Sequence, residues 1–142
     1  MGLVRWTEPV PKPERGSGVL ERERVVADRK ALERDVALRV KLRDGFKCRW
    51  PEVHKCRGGL EAAHIRDKSL LGDTSTANEI TLCAWIHRRG PQSIHGKQLK
   101  VTPDTADGAD GPCSFWKQAS DSAYDGYYCV ARERVIGILE RD

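Results

Sequence analysis

The sequence predicts an α+β fold: a long charged helix near the start, a small centre of two strands and a short helix, and a C-terminal β-hairpin. Three observations predict it. Apolar residues recur at three- and four-residue steps between Leu20 and Leu42. Two apolar runs, 60–65 and 79–85, flank a polar loop and are followed by the stop signal Gly90-Pro91. Aromatic and β-branched residues crowd two stretches after position 112.

Residues 1–18 carry Pro9, Pro11, Pro13, Gly16 and Gly18, a pattern that favours an extended arm which Trp6 would dock. Residues 19–142 then read as a single domain with its centre at 46–101. In the helix, Val25, Ala31 or Leu32, Val36 and Val40 form a stripe that Leu38 and Leu42 widen, and Gly45 ends it after Asp44. Its arginines (Arg22, Arg24, Arg29, Arg34, Arg39, Arg43) alternate with acids, so that face is read as solvated. Leu60 to Ile65 reads as a strand carrying His64. A loop around Gly72 and Asp73 follows, then a strand from Glu79 to Trp85 and a helical turn opened by His87. After a polar stretch ending at Gly111, CSFWKQA and GYYCVARERVIGILE read as paired strands around a turn at Asp125-Gly126.

The 142 residues are 39% hydrophobic and 32% charged, which leaves a small core that a structural metal would help to hold. The net charge is +4 and arginine outnumbers lysine, which favours an anionic partner, because a guanidinium matches phosphate as a planar fork. No apolar run approaches the roughly 20 residues that span a bilayer. The opening residues lack an apolar signal core, so a cytoplasmic protein without membrane association is expected. Five cysteines in such a chain point to metal ligation or buried thiols before a disulfide framework, although a Cys48–Cys56 pair stays open.

All four histidines fall within 46–101, with Cys48, Cys56 and Cys83. Two strands followed by a helix would gather His64, Asn78 and His87. Phosphodiester cleavage needs such a set: a neutral imidazole to take a proton from water, a cation to neutralise charge on the phosphate, and an amide to fix the base's tautomer.

Asn78-Glu79-Ile80-Thr81-Leu82-Cys83-Ala84-Trp85-Ile86-His87, preceded by His64 at a loop's distance, resembles the HNH nuclease family. The resemblance covers roughly residues 45–100. It implies a ββα-metal core in which His64 is the general base, Asn78 orients it or assists the metal, and His87 is a metal ligand. It also implies a divalent cation, Mg2+, Mn2+ or Ni2+, at the catalytic site. Many family members carry Asp or His just before the base, where this chain has Ala63. Alanine cannot ligate, so another residue must serve. His95 is the first choice; Glu61, two residues back on the same strand face, and the loop residues Asp67 and Asp73 are further options.

Many relatives also hold zinc with two Cys-x-x-Cys pairs. Here Cys48, Cys56 and Cys83 are present, Ile86 occupies the expected fourth position, and His54 could complete a Cys3His zinc site. Cys113 and Cys129 are read as packing residues, and Trp50 and Trp85 as core rather than wedges between bases. Arg66, Lys68, Arg88, Arg89, Lys97 and Lys100 flank the site as phosphate contacts.

The expectation is therefore a DNA endonuclease or nickase of low sequence preference, working with phage packaging or other nucleic-acid-processing proteins in a bacterial or phage-infected cell. A catalytically inactive DNA-binding module of the same origin is the alternative, and a zinc-stabilised interaction domain is the third reading.

Overall fold

A computed structural model describes residues 17–66, 73–119, 126–136 and 138–139. The expected arm up to residue 16, Asp67, Lys68, Gly72 and Asp125 lie outside the described residues. The chain divides into two compact units, Met1–Ala31 and Leu32–Asp142. The described architecture is mixed: an N-terminal helix and two antiparallel sheets, of two and four strands.

Helix α1 spans Ser17–Arg43. It ends where expected, and the hydrogen bonds explain why. Phe46 N–H donates to the Lys41 carbonyl at 2.8 Å and Gly45 N–H to that of Leu42 at 3.1 Å, while Gly45 sits at φ 66°. This closing motif needs a left-handed residue just past the helix, which glycine adopts without steric cost. The expected apolar stripe is buried only near its end, at Val36 and Val40; Val25, Leu32, Leu38 and Leu42 are exposed. Charges lie between the apolar positions along the helix, so no continuous apolar face forms.

Strands β1 (Leu60–His64) and β2 (Glu79–Cys83) pair antiparallel, with Ala63 opposite Ile80 and His64 opposite Glu79. All five residues of β2 are buried. A π-helical turn, Trp85–Arg89, follows at once and closes with Gly90 N–H on the Trp85 carbonyl at 2.8 Å. Gly58 at φ 81° lets the chain before β1 pass this turn: a Cβ there would lie 2.7 Å from that of Ala84.

The expected C-terminal hairpin is present as β4 (Cys113–Gln118) and β5 (Tyr127–Val135), but the sheet is larger than that. Strand β3 (Leu99–Pro103) pairs with β4, and β6 (Ile138–Leu139) with β5, in the order β3-β4-β5-β6. Pro103 closes an edge strand, where its missing N–H costs no ladder bond.

One core joins the hairpin to the sheet: Ala63, Ile80, Leu82 and Ile86 pack with Trp50, Leu99, Val101 and Phe115. Trp50 meets Phe115 edge to face at 5.6 Å between centroids. Trp50 is thus a core residue, as expected, and Trp85 is half-buried with the Arg57 guanidinium 5.0 Å from its ring centre.

A buried ionic network supports this core. The Arg49 side chain is 3% exposed and bonds Glu133, Asp44 and the carbonyls of Ala109 and Gly111. Asp44 also accepts from Thr81 N–H at 3.0 Å and from Arg43. Arg43 reaches on to the Thr76 and Glu79 carbonyls and to Asp110. Charges this buried persist only when fully bonded, and these are.

Candidate functional site

The chain around the hairpin gathers two clusters. In the first, Cys48, His54, Cys56 and Cys83 bring their ligand atoms within 4.8 Å of one another. His54 Nε2 lies 3.6 Å from Cys48 Sγ, 3.3 Å from Cys56 Sγ and 3.5 Å from Cys83 Sγ. Its Nδ1 faces the Glu52 carbonyl at 2.7 Å, which fixes the proton there and turns Nε2 inward. Three thiols and one imidazole nitrogen are the soft and borderline donors that zinc takes in a closed tetrahedron. The cluster could hold a metal ion and is compatible with structural zinc.

The sulfurs are prepared unequally. Burial pushes the Cys48 thiol up to about 12, against backbone N–H groups from Cys83 and Trp50. Burial and the neighbouring Cys83 also raise Cys56. Burial works against ionisation of Cys83 too, but the N–H groups of Ile86 and Arg57 and the His54 ring outweigh it and bring its pKa below the ordinary value. A cation would draw all three to thiolates. The Cys48–Cys56 disulfide alternative does not form: both thiols are free, as are Cys113 and Cys129. Cys113 is buried, as expected of a packing residue, and Cys129 is half-buried.

The second cluster lies where β1 meets the π-turn. After Gly90 the chain returns, and Ile94 and His95 N–H donate to the Ile86 and His87 carbonyls, each at 3.0 Å. This fold-back brings His95 to His87, with ring centroids 4.5 Å apart and planes at 83°. Glu61 approaches from β1, its Oε1 3.2 Å from His87 Nδ1. Arg88 grips the same carboxylate with its Nε and Nη2. Arg88's hydrogen bonds, against the opposing effect of burial, hold the Glu61 carboxyl down at about 2. Burial lowers the His87 pKa despite Glu61, so its ring is neutral near pH 7.

His64 ends β1 and faces Glu79, with Nε2 3.8 Å from the Glu79 carboxylate and a side chain 24% exposed. Residues 61 and 64 are an odd step apart, so their side chains leave the strand on opposite sides. Glu61, His87 and His95 therefore meet on one side of β1, and His64 stands on the other at its end.

Asn78 bonds backbone groups of the loop, and not a histidine. Its Oδ1 accepts from Arg66 N–H at 2.9 Å, and its amide donates to the carbonyls of Arg66 and Asp73 at 3.0 and 2.9 Å. Its backbone carbonyl accepts from Ile65 N–H at 2.7 Å. Asn78 thus clasps the loop between the strands through Arg66 and Asp73, and none of these bonds goes to a histidine. Glu79 is the group facing His64. Glu79 carries no motif position, although pairing the two strands antiparallel from their ends sets it opposite His64.

Of the expected phosphate contacts, Arg66, Arg88, Arg89, Lys97 and Lys100 are exposed. Arg88 is spoken for by Glu61, and Lys100 lies 5.5 Å from the Tyr127 ring centre. No described helix is long and apolar enough to cross a membrane. Comparison with protein-family models, curated proteins and solved structures finds no match for this chain.

Proposed function

We infer that the chain is a metal-dependent DNA endonuclease or nickase of the HNH type, built on a ββα-metal core. The observation that carries this reading is the placement of His64 at the end of β1, Asn78 just before β2 and His87 in the turn after it. In such a site His64 takes the proton of the attacking water, and Glu79 beside it stabilises the imidazolium that forms. Asn78 holds the loop that leads away from the base.

His87 and His95 supply two imidazole nitrogens. That donor set fits Mn2+ or Ni2+ better than Mg2+, which prefers oxygen. A cation held there would polarise the phosphate and neutralise the leaving oxygen. In-line displacement puts the attacking water and the leaving oxygen on opposite sides of phosphorus. His64 leaves β1 on the side opposite His87 and His95, so the base would have to reach such a phosphate around the strand end. Exposed Arg66, Arg89, Lys97 and Lys100 would steady the backbone of DNA without reading bases.

The alternative, a DNA-binding module without catalysis, is favoured by Ala63, which supplies no ligand, and by Arg88 engaging Glu61. Incubating zinc-loaded protein with supercoiled plasmid and added Mg2+, Mn2+ or Ni2+ separates the two. Metal-stimulated nicking that His87→Ala abolishes supports the nuclease. DNA binding with steep salt dependence and no turnover supports the module.

A further inference from the structure

We propose that Glu61 is a positioning residue for the metal site: clamped by Arg88, it fixes His87 in the tautomer with the proton on Nδ1, so that Nε2 is presented to a divalent cation. The inference rests on the nuclease reading of His87 and adds a residue that the motif does not contain.

The geometry carries it. An ionised carboxylate can only accept hydrogen bonds. Glu61 Oε1 stands 3.2 Å from Nδ1, so the ring places its proton there and leaves the Nε2 lone pair free. His87 is 13% exposed in its side chain, so water competes poorly for that nitrogen. The Arg88 fork, with contacts of 2.6 to 3.1 Å, holds the carboxylate in place and offsets its charge. Ala63 on the same strand face brings no polar group to compete for the ring.

The arrangement also explains how the site can lack the ligand at position 63. Carboxylate–histidine pairs raise the basicity of the ligating nitrogen and fix its direction, and losing such a partner typically lowers metal affinity about 10- to 100-fold. The strand thus supports the cation through a histidine instead of touching it.

The test is nitrogen-15 NMR of the His87 ring in protein carrying one zinc per chain and no other metal, together with Ni2+ titration by calorimetry. The wild type should carry its proton on Nδ1. Glu61→Ala should shift the proton to Nε2, as in a free side chain, and weaken Ni2+ binding about 10- to 100-fold. Glu61→Gln, whose amide oxygen can still accept, should keep the Nδ1 tautomer and recover most of the affinity. A wild-type ring protonated on Nε2, or an Ala variant with unchanged tautomer and affinity, overturns the proposal. The wild-type spectrum decides even where a variant fails to fold. Plasmid nicking is scored separately: protein that never cuts DNA but shows the Nδ1 tautomer and the Glu61-dependent Ni2+ affinity contradicts the nuclease reading and leaves the positioning role standing.

Discussion

Cys48 and His54, six residues apart, turn Sγ and Nε2 to within 3.6 Å of each other, and Cys83 joins them from β2 with its Sγ 3.5 Å from the same nitrogen. The loop carrying His54 and Cys56 is thereby brought against β2, whose five residues are all buried.

The purified protein is accordingly expected to contain stoichiometric zinc. A metal that binds only the folded state at 1,000 times its Kd adds about 4 kcal/mol, so chelation should lower the melting temperature sharply. Cys83→Ser should do the same without chelator. Metal analysis with thermal unfolding checks this; a protein that melts identically with and without chelator contradicts it.

Arg49 bonds both Glu133 and Asp44, and all three side chains are buried. Arg49→Leu should cost about 3–5 kcal/mol, because the carboxylates of Glu133 and Asp44 would stay buried without it. Urea unfolding measures the loss. A change below about 1 kcal/mol would show that water reaches these carboxylates.

Gly108 passes close to Ala77 at φ 63°, and a Cβ there would lie 2.3 Å from the Ala77 carbonyl oxygen. Gly108→Ala should therefore destabilise by at least about 2 kcal/mol, combining left-handed strain with backbone displacement. The same denaturant series reads it.

Burial raises the Cys113 thiol to about 11, above its ordinary 9.0. Its neutral form is the one the fold favours. The stabilisation is complete below pH 9.0 and is lost as pH rises through about 11. Native protein should therefore resist alkylation at Cys113 until it unfolds. Peptide mapping after iodoacetamide treatment checks this, and rapid labelling in native protein would contradict it.

Much of this architecture was legible in the residues. Leu60 to His64 and Glu79 to Cys83 alternate or run apolar over strand lengths, and Gly45 and Gly90 mark the stops. His54 could be nominated for zinc because Ile86 left a ligand missing and a histidine lay nearby. Strand β3 was not legible: its five residues lie beside a polar loop and end in proline, a residue that usually argues against a strand. The ionic network was equally hidden. Arg49 and Glu133 are 84 residues apart, and a charge does not announce its partner. Asn78 carries a motif position, yet its bonds to Arg66 and Asp73 depend on how the loop closes, which spacing alone does not encode.

The most direct measurement is the rate of Mn2+-dependent plasmid nicking by His64→Ala against wild type, with equal zinc content and equal melting temperature. A fall of about 10²- to 10⁴-fold is expected, the usual contribution of a general base. Nicking at the wild-type rate by the folded variant would contradict it.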